Sequence, residues 1–219
     1  MIYACLPVKS PARAKERLRH YLSQEQRVQL VHAMFEDVLV ETLKVRGLDR
    51  LVVVSNDAHV LVVAAAAGAL VLVEQEQLSH SASADWAAKE CMNRGAETVM
   101  LIPIDVPLVR AAEMESLLLE SQRLPRRHVI IVPSQDGTGT NAMVRTPPDV
   151  IRSRFGPDSF AEHVARAEAA NAAVKVMRPA GLLRDLDEPD DVALFLLDNP
   201  SGRTADLLRE FRARKAAVS

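Results

Sequence analysis

Aromatic residues, cysteines and long hydrophobic runs are all scarce in this sequence. Only 4% of its 219 residues are aromatic, so a surface of stacked rings for single-stranded nucleic acid is not expected. Lys and Arg number 27 against 29 Asp and Glu, and this balance argues against nucleic acid or an anionic membrane as a partner bound by bulk charge. The longest apolar run, HVLVVAAAAGALVLV, is shorter than the roughly 20 residues of a membrane span and contains Gly68.

The two cysteines, Cys5 and Cys91, fall in a predicted strand and a predicted helix with apolar neighbours. This setting is typical of small buried residues in a reducing cytosol. The first residues, MIYACLPV, are too short a run for a signal peptide and lack its basic segment. We therefore expect a cytoplasmic protein without membrane attachment.

The composition, with 48% hydrophobic and 26% charged residues, is that of an ordinary globular protein and predicts one α/β domain over residues 1–219. Short apolar runs predict strands at residues 2–8, 50–55, 70–74, 98–105, 128–133, 141–145 and 174–179. Helical periodicity and capping signals predict a helix that begins at Ser23, with Gln26 completing a capping box, and others at residues 59–68, 84–95, 111–122, 159–171, 188–197 and 204–215.

Repeated strand–helix–strand units with continuous apolar strands predict a mostly parallel sheet covered by helices on both faces. Ligands of such sheets bind beyond the carboxyl ends of the strands. The loops after Val8, Ser55, Asp105 and Pro133 are therefore expected on one rim.

A basic loop, LPVKSPARAKERL, follows the first predicted strand and carries Lys9, Arg13, Lys15 and Arg17. Cations at a strand-to-helix junction suit a polyphosphate, although a solvated basic loop would look the same. The loop lacks the glycine-and-lysine pattern of a P-loop. It also lacks the glycines of a dinucleotide fingerprint.

Carboxylates stand at two further places. Asp105 ends an apolar strand and is interpreted either as a ligand of Mg²⁺ or as a helix N-cap. In RDLDEPDDV, Asp185 and Asp187 alternate along an extended segment, so they share one face and would repel unless a cation joins them. Asp190 and Asp191 are assigned to the start of the next helix.

The stretch QDGTGTNAMV combines Gly137 and Gly139, which allow close approach to a ligand, with polar residues such as Thr140. It is equally typical of a tight hairpin turn, and both interpretations can hold together.

In RFGPDSFAEH, Gly156 and the predicted N-cap Ser159 precede a helix whose free N–H groups would bind an anion. His163 lies one turn further on the same side, as a substrate contact or as an exposed helical histidine.

Taken in this order, the stretches resemble the 2-phospho-L-lactate guanylyltransferase family, which makes a precursor of the deazaflavin coenzyme F-420. The likeness runs from PVKSPARAKERL to DLDEPDDV, and DGTGTNAM with FGPDSF is its most specific part. It implies a Rossmann-like, mostly parallel sheet of the nucleotidyltransferase (nucleotide-diphospho-sugar transferase) type, and a homodimer.

The resemblance also implies roles for particular residues. GTP would bind with Mg²⁺ held by Asp105, Asp185 and Asp187, and Asp105 would be catalytic together with Lys9, Lys15 and Arg17, which neutralise the triphosphate and the leaving pyrophosphate. Thr140, Gly156 and Ser159 match positions that hold the three-carbon phosphorylated acid, which in this family is 2-phospholactate, phosphoenolpyruvate or 3-phosphoglycerate. Where relatives have an LN segment this chain has SHSASADWAAKE, and nucleotide contacts are placed near Ser83 and Asp85.

Two other functions remain open. One is another Mg²⁺-dependent nucleotidyltransferase, using CTP or a sugar phosphate. The other is a non-catalytic nucleotide-binding protein of the same fold, which would show no turnover and no effect when Asp105 becomes Asn.

Overall fold

Seven strands form one sheet in the order β3-β2-β1-β4-β6-β5-β7, and only β6 runs against the others. The computed structural model describes residues 1–11, 14–75 and 79–218. The strands are β1 Ile2–Pro7, β2 Arg50–Ser55, β3 Leu70–Val73, β4 Thr98–Leu101, β5 His128–Pro133, β6 Thr140–Thr146 and β7 Ala173–Val176. The helices are α1 Gln24–Leu43, α2 Ala58–Ala66, α3 His80–Asn93, α4 Ala111–Ser121, α5 Ser159–Ala169, α6 Ala180–Leu183, α7 Pro189–Leu197 and α8 Arg203–Val218.

Helices cover both faces of the sheet, as predicted. One apolar cluster lies between the sheet and α1, α2 and α4, and a second lies between the sheet and α3 and α5. A third cluster joins α1, α7 and α8 to Leu18 and Leu186, so the C-terminal helices pack on the outside of α1. Within the described ranges, no helix combines the length and the apolar character needed to cross a membrane.

Local signals place most of the element boundaries correctly. Ser23 accepts the amide of Gln26, and the Gln26 side chain accepts the amide of Ser23, so the predicted capping box is confirmed. Gly68 and Gly95 follow α2 and α3 at φ +82° and +89°, a backbone region that favours glycine at helix ends.

Three expectations about local structure were wrong, and two short elements were not anticipated. β4 ends at Leu101 rather than Asp105, since Pro103 has no N–H to donate to a neighbouring strand. Asp158, at φ +56°, is the N-cap of α5, and Ser159 is its first helical residue. β7 stops at Val176, and α6 and a 3₁₀ turn at Glu16–Leu18 were not anticipated because each is only one turn long.

Candidate active site

The carboxyl ends of the parallel strands form one rim, where two acidic segments are tied together by the backbone. The amide of Leu186 donates to the carbonyl of Asp105 at 2.8 Å. The side chain of Asn141, at the start of β6, donates to the carbonyl of Leu183 at 2.9 Å. These bonds bring the segment of Asp185 and Asp187 beside the loop after β4, although about 80 residues of sequence separate them.

Lys15 reaches into this junction from the loop after β1. Its Nζ lies 2.5 Å from Oδ1 of Asp187 and 3.7 Å from Oδ2 of Asp105. The Lys15 side chain is only 7% exposed, whereas those of Asp105 and Asp187 are 31% and 38% exposed. The structure therefore brings Lys15, which was predicted to bind the triphosphate, together with Asp105 and Asp187, which were predicted to bind the metal.

The charges of this group are strongly coupled. Burial raises the pKa of Asp105 to about 6, helped by Asp187 and Asp185, while Lys15 opposes the rise. Burial also raises the pKa of Asp185, and Asp187 adds to it. Burial acts against the charge of Asp187 too, but the ammonium of Lys15 outweighs it and lowers the Asp187 pKa. The nearby ammonium of Lys15 thus favours the charged form of each of these carboxylates.

The donor chemistry of this group fits a hard divalent cation. Carboxylate oxygens are the ligands that Mg²⁺ takes, and the ammonium of Lys15 supplies positive charge where such an ion would be held. In the part of the chain that the structure describes, no three His, Cys, Asp or Glu side chains are placed to bind a metal ion together.

The other cations of the basic loop lie nearby but less deep. Lys9 is exposed, and its charge contributes to the lowered pKa of Asp187. Arg17 donates to Oε1 of Glu188 at 2.9 Å, and both side chains are largely exposed. Arg13 lies outside the described residues.

His80, the first residue of α3, lies near enough for the charges of Lys15 and Asp187 to act on it, and it was missed by sequence reasoning. Its ring packs edge-on against Phe155, with 4.6 Å between ring centroids. Burial lowers the pKa of His80 to about 4, with further lowering by Lys9 and Lys15. The imidazole is therefore neutral at pH 7 and can offer a hydrogen bond without charge. No motif marked it, because a histidine at a helix start has no distinctive spacing.

Thr140 opens β6 directly after the glycine-rich turn. The turn is the hairpin between β5 and β6: Asp136 accepts Ser134 Oγ and the amide and hydroxyl of Thr138. A Cβ on Gly139 would lie 2.9 Å from Ser134 Oγ, so a side chain there would strain the turn. The hairpin interpretation is confirmed, and it sets Thr140 at the rim.

His163 on α5 is fully buried and supports Thr140 from behind. Its Nε2 accepts the amide of Arg154 at 2.8 Å, so Nδ1 carries the proton and donates to Thr140 Oγ1 at 2.9 Å. Burial lowers the pKa of His163 to about 4, and the charges of Arg145 and Arg166 add to this. Both ring nitrogens are committed to the protein, so the alternative of an exposed histidine was wrong, and the substrate contact of His163 stays a prediction.

More of the backbone N–H groups at the start of α5 already have hydrogen-bond acceptors than the sequence suggested. The amide of Ser159 donates to the carbonyl of Gly156, and the amide of Phe160 donates to the carbonyl of Thr138. Ser159 is buried, while Gly156 is exposed at φ +123°, which favours glycine. The first two helical N–H groups are therefore not free for an anion, and Gly156 and Ser159 stay predictions for the acid site.

Ser83 and Asp85 have partners within the protein. Ser83 Oγ donates to Glu74 Oε1 at 2.6 Å. Asp85 accepts from Nη1 of the buried Arg145 at 2.9 Å and from the amide and hydroxyl of Ser153. Among the described residues, no contact joins either of them to the group of Lys15, Asp105 and Asp187, so their predicted nucleotide role stays a prediction.

Comparisons with known proteins agree on one group of enzymes. A family model described as "Guanylyl transferase CofC like" matches residues 2–216. The phosphoenolpyruvate guanylyltransferase of Roseiflexus castenholzii is 37% identical, and the alignment covers 99% of this chain and 98% of that protein. The 2-phospho-L-lactate guanylyltransferase of Methanobrevibacter smithii is 28% identical, with 99% and 93% covered.

Among solved structures, a Desulfovibrio desulfuricans protein assigned to the nucleotide-diphospho-sugar transferases superposes with a TM-score of 0.78. The two chains are 20% identical, and the superposition covers 97% of this chain and 95% of the other. At this identity the likeness shows the shared fold, and it confirms the predicted sheet of the nucleotidyltransferase type.

Proposed function

Because the chain belongs to the family of CofC-like guanylyl transferases, we propose that it transfers GMP from GTP to a three-carbon phosphorylated acid. The acid would be phosphoenolpyruvate, 2-phospholactate or 3-phosphoglycerate, and its product would serve the biosynthesis of coenzyme F-420. The observation that carries the proposal is the meeting of Lys15 with Asp105 and Asp187 at the ligand-binding rim.

In the proposed reaction, a phosphate oxygen of the acid attacks the α-phosphorus of GTP. A new P–O bond forms, and the bond to pyrophosphate breaks. A divalent cation held by Asp105, Asp185 and Asp187 would neutralise phosphate charge when bound. The chain's own part is to position two polyanions and to offset their charge, so no protein nucleophile is required.

Lys15, Lys9 and Arg17 are proposed to hold the triphosphate and the leaving pyrophosphate, since they enter the rim from the loop after β1. Thr140 is proposed to hold the acid. Its Oγ accepts from His163, so its own proton can be donated to a carboxylate or phosphate oxygen. Neutral His163 acts in this scheme as the positioning residue behind Thr140.

The first experiment incubates the protein with GTP, Mg²⁺ and each of the three acids separately, and follows pyrophosphate release. Reactions with ATP, CTP and UTP, and reactions with a sugar phosphate in place of the acid, run alongside, and the Asp105→Asn variant is the matched control. Release with GTP and one acid supports the proposal and identifies the acid. Release with CTP or a sugar phosphate would favour another nucleotidyltransferase, and no release under any condition would favour a non-catalytic binding protein.

A homodimer is proposed from the family resemblance alone. Light scattering coupled to gel filtration tests it directly, since the 219-residue monomer has a mass of 24.0 kDa. A monomeric mass across the working concentration range would contradict it.

A further inference from the structure

A cavity of about 500 Å³ lies beside α3, outside the candidate active site. Its walls come from α3, from the loop that follows β6, and from Arg145 of β6 itself. Small-molecule sites in proteins have volumes of roughly 300–1,000 Å³, so the space is large enough for a ligand. We call it the Arg145 cavity, and the side chains in its lining include Trp86, Lys89, Met92, Arg145, Asp149 and Arg152.

The Arg145 cavity is separate from the rim where the carboxyl ends of the parallel strands meet. β6 opens at the rim with Thr140 and runs against β4, so its later residues lie progressively further from the rim. At about 3.4 Å per residue, Arg145 is roughly 17 Å along the strand from Thr140. Arg145 pairs with Val99 near the start of β4, whereas Asp105 follows the end of β4. A ligand in the cavity would therefore lie apart from the places proposed for the acid and the triphosphate.

The guanidinium of Arg145 has hydrogen-bond partners on one nitrogen only. Nη1 donates to Oδ1 of Asp85 at 2.9 Å and to the carbonyl of Ile151 at 2.8 Å. Nε and Nη2 are buried, and neither has a partner among the residues that the structure describes. These two nitrogens form the side of a guanidinium whose parallel N–H groups fit the two oxygens of a carboxylate or phosphate. Because buried donors without an acceptor are costly, an oxyanion at this side would satisfy them.

The other lining residues suit a small oxyanion with an apolar or aromatic part. Lys89 and Arg152 are exposed cations at the cavity. The carboxylate of Asp85, which also lines it, is already bound by Arg145. Trp86 is 37% exposed although it is a large aromatic residue, and its ring offers a flat surface on which a second ring can stack.

We propose that the Arg145 cavity is a second ligand site, which binds a small molecule through a carboxylate or phosphate group held by Nε and Nη2 of Arg145. Lys89 and Arg152 attract the anion, and Trp86 packs on its apolar part. Arg145 is 1% exposed, so the anion reaches it when the exposed side chains of Lys89 and Trp86 swing aside, a fast movement for surface side chains. The inference is independent of the proposed reaction, since none of these four residues is proposed to hold GTP, the metal or the acid.

Trp86 is the single tryptophan of the chain, so tryptophan fluorescence reports on this cavity. The test titrates inorganic phosphate, phenyl phosphate and benzoate into the protein without nucleotide, with excitation at the red edge of the indole absorption. We expect a saturable change in fluorescence. Comparing phenyl phosphate with benzoate decides between a phosphate and a carboxylate as the preferred group, and the ring should make the better of them bind more tightly than inorganic phosphate.

Charge variants of the lining give opposite expectations for the tighter aromatic probe. Lys89→Met removes a cation and should weaken binding about threefold, whereas Asp149→Asn removes an anion and should tighten it about twofold. Arg145→Lys keeps the charge but loses the paired N–H groups, and should weaken binding about tenfold. Circular dichroism shows whether Arg145→Lys is folded, and the other two variants carry the test if it is not. Lys44→Met is the matched control, since the exposed Lys44 pairs with Glu41 of α1, and its affinity should equal that of wild type.

Lys9→Met shows whether the anion binds at the rim instead. Binding that is lost in Lys9→Met and unchanged in Lys89→Met would overturn the inference, since the anion would then lie at the proposed active site. Equal affinity of wild type, Lys89→Met and Asp149→Asn would overturn it as well, and so would the lack of a saturable change with all three probes. None of these results bears on GMP transfer, which pyrophosphate release measures separately.

Discussion

Removing the carboxylate of Asp85 should destabilise the fold rather than weaken nucleotide binding. Asp85 accepts Nη1 of Arg145 at 2.9 Å, the amide of Ser153 at 2.9 Å and its hydroxyl at 2.7 Å. Arg145 is 1% exposed, and its Nε and Nη2 have no hydrogen-bond partner in the described part of the chain. The guanidinium therefore depends on the partners of Nη1.

The size of the effect follows from the burial of the two partners. Breaking a buried ion pair by removing one member costs about 3–5 kcal/mol. The Asp85 side chain is 30% exposed, so water can replace part of what is lost. We expect Asp85→Ala to lower the free energy of unfolding by about 3 kcal/mol, which moves the urea midpoint by roughly 1–2 M.

The assay is equilibrium unfolding in urea followed by circular dichroism, with the KM for GTP measured on the folded variant. Asp149→Ala is the matched control, because Asp149 is exposed on the neighbouring loop, and a change within about 0.5 kcal/mol is expected. The double variant Asp85→Ala/Arg145→Met should lose less stability than the sum of its single changes, since no unpaired charge is left buried. A loss under about 1 kcal/mol with a clearly raised KM for GTP would refute the structural role.

Three further predictions concern the rim and the support behind it. Asp105→Asn should abolish pyrophosphate release without lowering the unfolding free energy at pH 7. The pKa of Asp105 is raised to about 6, so the folded protein loses stability as pH rises from about 4 to 6, and Asn at this position removes that loss. Retained pyrophosphate release by Asp105→Asn would contradict the assignment. Ser159→Ala should raise the KM for the acid more than that for GTP in steady-state assays, and equal effects on both would argue against an acid site at α5. The pKa of His163 is about 4 in the folded protein, below its ordinary value of 6.5, so as pH falls the unfolded chain takes up this proton before the folded protein does. The stability present above pH 6.5 is therefore lost as pH falls towards 4. His163→Gln should flatten this loss in urea unfolding measured from pH 7 to pH 4.5, and an unchanged slope would point to other groups.

Much of the fold was predictable because its signals act over a few residues. The capping box of Ser23 and Gln26, the glycines after α2 and α3, and the D-G hairpin before β6 are decided by neighbours along the chain. Apolar periodicity likewise sets which face of a helix meets the sheet. The motifs were each ambiguous alone, and it was their order along the chain that was enough to indicate the family.

The arrangement of charges could not be predicted in this way. Lys15 and Asp187 are 172 residues apart, and Arg145 and Asp85 are 60 apart, so no local pattern states that they meet. Four cations were visible in the basic loop, but which one reaches the carboxylates depends on how the turn at Leu18 packs. The sequence left open whether His163 is a substrate contact or an exposed helical residue, because helical spacing does not show which side chains the rest of the fold covers.

The sequence by itself determined most of the strands and helices, the rim formed by the carboxyl ends of the parallel strands and the family, since each rests on short-range backbone preferences and on motifs taken in order. Only the tertiary structure decided that Lys15 lies between Asp105 and Asp187, that Asp85 supports Arg145, and that His163 stands behind Thr140. The physical reason is that ion pairs and buried hydrogen bonds depend on distances of a few ångströms between segments far apart in the chain. Those distances are set by the packing of the whole domain.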